Sequence, residues 1–184
     1  NYIDLKALQI EQGYEFSSDT DTEVIAHAID FSLQSSNSLL EAVQKALKAL
    51  EGSYGLGIIS SNHPNTMIAA RKGSPLLIGI GDNGNYIASD QMALLSATKR
   101  FIFLEEGDIA ELSLENVTIY NKAGDVVKRP IKVSNLKDGE VGLGTYDHYM
   151  HKEIFEQPQA IRDTLESRIL KDKVVISAFG YKAK

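Results

Sequence analysis

Residues Tyr54-Gly-Leu-Gly-Ile-Ile-Ser60, Thr66-Met-Ile-Ala-Ala-Arg71, Leu76-Leu-Ile-Gly-Ile80 and Tyr86-Ile-Ala-Ser89 decide the fold class. They are short apolar or β-branched runs separated by Asn-His-Pro-Asn, Gly-Ser-Pro and Gly-Asp-Asn-Gly turns, which is the pattern of successive antiparallel strands. Downstream, Asp90 to Thr98 predicts a short helix. Arg100 to Leu104, Ile109 to Leu114 and Val117 to Asn121 then resume the strand pattern, and the turn Lys122-Ala-Gly-Asp125 closes a hairpin before Val126 and Val127.

Upstream the period is helical. Ile3, Leu5, Leu8 and Ile10 with Gly13 near the end predict a first helix. A second spans roughly Asp21 to Gln34. A third follows the polar run Ser35-Ser-Asn-Ser38, with Leu40, Val43, Leu47 and Leu50 on one face, lysines on the other and Gly52 as a stop. Beyond Pro130 no regular pattern is seen until Tyr146. Asp147 to Glu156 is expected to be helical, with Gln157-Pro158 interrupting and Ala160 to Leu165 continuing. Asn135 to Thr145 reads as an exposed loop, and Lys171 to Lys184 as a linker. Strands in succession between helices define an α+β domain with helix-covered sheets.

Composition narrows the function. The chain has 184 residues, enough for one substantial core. With 25 acidic against 19 basic residues and a net charge of −6, it shows no basic stripe suited to a phosphate backbone, so nucleic acid is not an expected partner. No apolar run approaches membrane-spanning length, and a soluble, cytoplasmic protein is expected. There is no cysteine, which excludes disulfides, thiolate metal sites and thiol nucleophiles within these residues. Because the chain begins at Asn1 and passes at once into a helical pattern, an internal start is expected.

The chemically suggestive stretch is Ser17-Ser-Asp-Thr-Asp-Thr-Glu-Val-Ile-Ala-His27. Thr20 and Glu23 have the spacing of a capping box, which places Asp21 at the first helical position. The helix dipole favours a carboxylate there, suiting Asp21 to a cationic group such as a substrate α-amino group. Acidic residues also occupy first turns for stability alone, and local chemistry does not choose between the two roles. A calcium loop fails because Val24 stands where glycine is needed. His148-Tyr-Met-His151 with Glu153 lacks recognised zinc spacing, and Gly79-Ile-Gly81 with Gly84 fits a tight hairpin better than a phosphate loop. Glu105-Glu106-Gly107-Asp108 reads as a solvated turn between strands. Nothing suggests a metal, nucleotide or flavin cofactor.

Six segments, taken in order, resemble one family. They are Ser18-Asp-Thr-Asp-Thr-Glu-Val-Ile-Ala-His27, Gly52-Ser-Tyr-Gly55, Ala69-Ala-Arg-Lys-Gly-Ser-Pro-Leu-Leu-Ile-Gly79, Ala88-Ser-Asp90, Phe101-Ile-Phe-Leu-Glu-Glu-Gly-Asp-Ile-Ala110 and His148-Tyr-Met-His-Lys-Glu-Ile-Phe-Glu-Gln-Pro158. Together they resemble the glutaminase half of the glutamine–fructose-6-phosphate aminotransferases, over nearly the whole chain. Other class II amidotransferases, such as amidophosphoribosyltransferase, share the helix start and the Lys-Gly-x-Pro-Leu strand but lack the His-Tyr-Met-x-Lys-Glu signature.

The resemblance implies an N-terminal nucleophile hydrolase fold, a four-layer sandwich of antiparallel sheets between helices, here truncated at its N-terminus. It implies glutamine hydrolysis by an N-terminal cysteine, with ammonia channelled to a sugar isomerase domain that acts on fructose 6-phosphate, in a homodimer. Cysteine, carboxylate-binding arginine and Asn-Gly oxyanion donors would lie upstream of Asn1, leaving no catalytic residue here and an inactive fragment. Asp21 matches the aspartate that binds the glutamine α-amino group. The implied division is residues 1–166 as glutaminase and 167–184 as the start of a linker, with the helix at Tyr149 to Pro158 near the isomerase boundary. The alternatives are a noncatalytic interaction module with the same fold, or another class II amidotransferase.

Overall fold

The computed structural model describes residues 2–135, 143–165, 169–170 and 173–174. It falls into two compact units, Asn1–Leu136 and Lys137–Lys184.

The first unit opens with three helices, α1 (Tyr2–Glu11), α2 (Asp21–Leu33) and α3 (Leu39–Lys48). Helix α1 ends at Gly13, whose φ of 91° is open to glycine at little cost. The Gly13 N–H reaches the Ile10 carbonyl and the Tyr14 N–H reaches that of Gln9, both at 3.0 Å, so the last carbonyls are satisfied. The apolar spacing predicts this helix, but not the face it buries. Leu5 packs on the core and Gln9 is buried, its Nε2 donating to the Val24 carbonyl at 3.0 Å, while Ile3, Leu8 and Ile10 are exposed. Helix α3 buries Leu39, Ala42, Val43, Ala46 and Leu47, close to the expected stripe.

Two antiparallel sheets follow. The first has the order β1 (Tyr54–Ile59), β2 (Met67–Lys72), β6 (Ile109–Leu112), β7 (Val117–Tyr120) and β8 (Val126–Val127). The second runs β4 (Asn85–Ala88), β3 (Leu77–Ile80), β5 (Arg100–Phe103) and β9 (Ile131–Val133). Strand β2 shows why the layers stack as they do. Its Ile68 and Ala70 join the core beneath α2 and α3, and the intervening Ala69 joins the core between the sheets with Ile78, Ile102, Leu104 and Leu112. Strand β1 alternates likewise: Leu56 and Ile58 face the helices, whereas a Cβ at Gly57 would lie 2.4 Å from Ile87 Cδ1 of the second sheet.

Several expectations need correction. The short helix expected over Asp90 to Thr98 is confined to a single 3-10 turn, Gln91–Leu94, capped by Asp90 and followed by turns. Thr98 then hydrogen-bonds the Ile80 carbonyl at 2.5 Å. The stretch after Pro130 holds a strand, β9, which pairs with β5 although Ile131, Lys132 and Val133 are all exposed. An edge strand held by backbone bonds needs no apolar alternation, which is why the pattern is silent there.

The second unit contains α4 (Tyr149–Leu165) and a two-strand ladder of β10 (Ile169–Leu170) and β11 (Lys173–Val174). Helix α4 runs through Pro158 without interruption. Proline removes only its own N–H bond, and good helix formers on both sides carry the helix across. Lys173–Val174 forms a strand within the stretch expected to be linker; residues 136–142 of the expected loop and 171–172 and 175–184 of the expected linker lie outside the described residues.

Candidate functional site

The site is built on the segment that enters α2. Thr20 is the N-cap, with extended backbone, and its hydroxyl accepts the Thr22 N–H at 3.4 Å. Glu23 does not close the expected box by returning to Thr20. It reaches further back, accepting the backbone N–H of Ser17 at 2.7 Å, the Ser17 hydroxyl at 2.9 Å, the backbone N–H of Ser18 at 2.9 Å and the Ser18 hydroxyl. The same displacement recurs at α3, where Ser38 caps Glu41 N–H while the Glu41 carboxylate takes the N–H of Asn37.

Four donors hold the Glu23 carboxylate at a pKa of about 2, with the Ser18 hydroxyl and Ser17 N–H the largest contributors. One turn on, His27 Nε2 stands 3.7 Å from Glu23 Oε1, and its ring is clasped by Tyr14 and Phe16 at centroid distances of 4.7 and 4.6 Å. Tyr14 in turn donates to Asp30 at 2.9 Å. The loop 14–20 is therefore fastened to α2 at both ends, by aromatic packing on His27 and by the carboxylate of Glu23.

Asp21 is what this anchoring leaves open. It is the first residue of α2 and exposed, and no hydrogen bond or ion pair holds its carboxylate among the described residues. A carboxylate with unspent acceptors in the field of a helix N-terminus is suited to an ammonium group. Glu23, by contrast, is saturated and serves the loop.

The remaining sequence candidates have structural explanations. Gly81 and Gly84 close the β3–β4 hairpin, Gly81 N–H meeting the Gly84 carbonyl at 3.0 Å. The His151 ring packs edge-on against Tyr146 and Phe155 at 5.4 and 5.1 Å, and no metal-holding cluster is found among the described residues. The Glu105–Asp108 turn is only partly solvated, because Asp108 is fully buried. Arg129 grips it with two bonds, Nε to Oδ2 at 2.9 Å and Nη2 to Oδ1 at 2.8 Å, and also meets Glu105 at 2.8 Å. Sequence offers no signal for this pair, whose members stand 21 residues apart on unrelated turns.

The sequence profile of the glutamine amidotransferase domain matches residues 1–96, just over half of the chain and inclusive of the whole α2 site. The chain belongs to the glutamine amidotransferase domain family. Across its full length it is 49% identical to the isomerizing glutamine–fructose-6-phosphate aminotransferase of Haemophilus influenzae. It is 47% identical over 183 residues to the protein of that name from Vibrio cholerae, and 50% identical over 180 residues to that of Haemophilus ducreyi. The chain spans 30% of the length of each of these relatives. The α+β architecture with two antiparallel sheets is consistent with this amidotransferase domain. Among the described residues no helix is long and apolar enough to cross a membrane.

Proposed function

We propose that this chain is part of the glutaminase domain of an isomerizing glutamine–fructose-6-phosphate aminotransferase, in which Asp21 receives the α-ammonium group of glutamine. The enzyme would hydrolyse the glutamine amide and pass the ammonia to fructose 6-phosphate, yielding glutamate and glucosamine 6-phosphate. The observation that carries the proposal is Asp21 itself, exposed and without a partner among the described residues, at the start of a helix whose entry loop is tied down by Glu23. Identity near one half across the chain to aminotransferases of that name supports the choice of reaction.

The same proposal places the glutaminase portion at residues 1–166 and the beginning of a connection to the sugar isomerase domain at 167–184. It takes the sheets as the middle of a four-layer N-terminal nucleophile hydrolase sandwich, and the intact enzyme as a cytoplasmic homodimer. Because these residues contain no cysteine, the thiol that attacks the amide would come from outside them, and the chain alone would not release glutamate.

The test uses the intact protein supplied with glutamine and fructose 6-phosphate. Release of both glutamate and glucosamine 6-phosphate is expected. Glutamate without the amino sugar would overturn the assigned acceptor, and neither product would overturn the enzyme assignment. Asp21→Asn should raise the glutamine KM by about tenfold or more, the loss expected for one charge-assisted hydrogen bond, while Asp19→Asn should leave it near the starting value. An unchanged KM in Asp21→Asn would remove Asp21 from the substrate site.

A further inference from the structure

A cleft of 460 Å³ lies away from α2, between the last turns of α3, the end of β2 and the β7–β8 hairpin turn. Its volume is within the range of small-molecule sites. Leu47, Leu50 and Ile109 give it an apolar floor, and the Tyr54 ring forms part of the wall. Three lysines line it from three separate elements: Lys48 on α3, Lys72 at the end of β2 and Lys122 in the hairpin turn.

Glu106 is the one carboxylate in the lining against these three lysines and Arg71, so a positive excess remains. Lys48 and Lys122 make no hydrogen bond or ion pair among the described residues. Lys72 gives one bond, to the Leu50 carbonyl at 3.2 Å, and lies 5.9 Å from the centre of the Tyr54 ring. The carboxylate in the cleft wall, Glu106, is already engaged by the Gly73 N–H at 3.0 and 2.9 Å. Arg71, also in the lining, is committed to the carbonyls of Ser74 and Leu104. The Tyr54 hydroxyl has no hydrogen-bond partner among the described residues, and burial together with Glu106 raises its pKa, so it remains a neutral donor. Gly107 is needed for the shape: a Cβ there would sit 3.0 Å from Lys122 Cβ, pushing that side chain away.

We infer that this cleft binds a small phosphate monoester, its dianionic head among Lys48, Lys72 and Lys122 and its body on the apolar floor beside Tyr54. Lysines approaching from three elements act as point charges suited to a tetrahedral dianion, whereas a monocarboxylate would engage fewer of them. An apolar floor gives an organic ester an advantage over free phosphate. The inference is independent of the glutaminase proposal, since no residue of the 14–30 segment lines the cleft.

The experiment is a titration of the full chain, followed by amide NMR, with phenyl phosphate, inorganic phosphate and benzoate as probes. Phenyl phosphate should give saturable shifts at Tyr54, Gly107 and Gly124, weakening as salt is raised, and should bind more tightly than either other probe. Lys48→Gln and Lys122→Gln, both at exposed positions, should each weaken it roughly threefold to tenfold, and Lys132→Gln, on the other sheet, should not. Benzoate binding as tightly as phenyl phosphate would overturn the dianion assignment. Absence of saturable shifts, or shifts indifferent to both lysine changes in spectra that remain native, would overturn the site.

Discussion

Glu23 accepts the backbone N–H of Ser17 at 2.7 Å, bypassing the cap residue Thr20 and binding the loop rather than the helix start. Asp21 is thereby displayed at the start of α2, beside a fixed loop, with its own carboxylate unspent among the described residues. Removing the anchor should loosen the display without touching the substrate group. Glu23→Ala is expected to raise the glutamine KM of the intact protein severalfold and to speed amide exchange at Ser17 and Ser18. Glu23→Gln should recover only part of this, since its amide has a single acceptor oxygen. Unchanged exchange in Glu23→Ala would show that the aromatic clasp on His27 holds the loop unaided.

The same network sets an acid limit. Folding lowers the Glu23 pKa from its usual value near 4.5 to about 2, so the unfolded chain binds the proton first. Its contribution to stability is therefore complete above about pH 4.5 and disappears as pH falls through about 2. Glu41, lowered chiefly by the Asn37 N–H, acts in the same direction. Carboxyl NMR of Glu23 should show a midpoint near 2; a midpoint in the ordinary glutamate range would mean the four-donor arrangement does not persist in solution.

Close approach of the sheets at Gly57 predicts a coupled pair. Gly57→Ala places a Cβ 2.4 Å from Ile87 Cδ1, the end of a side chain that can turn aside, and should change stability by no more than about 1 kcal/mol. Ile87→Val removes Cδ1. The double variant should lose less stability than the sum of the two single changes in urea unfolding. Strict additivity would place the two side chains out of contact.

Asp108 and Arg129 tie the β5–β6 turn to the segment that leads into β9. Asp108→Ala removes the buried carboxylate, leaves Arg129 with only the exposed Glu105, and frees the Glu105 N–H that Asp108 accepts at 2.8 Å. The urea midpoint should fall, and amide protection in β9 should fall first. Glu105→Ala, which removes the partner in solvent, should change little. A larger effect from Glu105 than from Asp108 would reverse the assignment.

Ile68→Ala deletes a fully buried side chain under α2 and α3, and should cost about 2–5 kcal/mol in urea unfolding. Ile59→Ala, on an exposed position of the edge strand β1, should cost well under 1 kcal/mol. Comparable losses would mean that the exposed face of β1 is covered in solution.

Sequence alone determined most of the elements and roughly where they lie, because helix and strand periods are local properties. The three leading helices, the hairpin glycines and strands β1 to β8 follow from that spacing, as does the placing of Asp21 at a helix start. It did not determine β9, whose side chains carry no pattern because its backbone, and not its side chains, holds it to β5. Nor did it determine which face α1 buries, that Glu23 would choose Ser17 and Ser18 over Thr20, or that Asp108 would be enclosed with Arg129. Each of those depends on where a distant or differently directed group comes to rest once the sheets stack. Spacing along a chain records the period of a helix or strand; partners across space are decided by packing, and only the tertiary structure contains it.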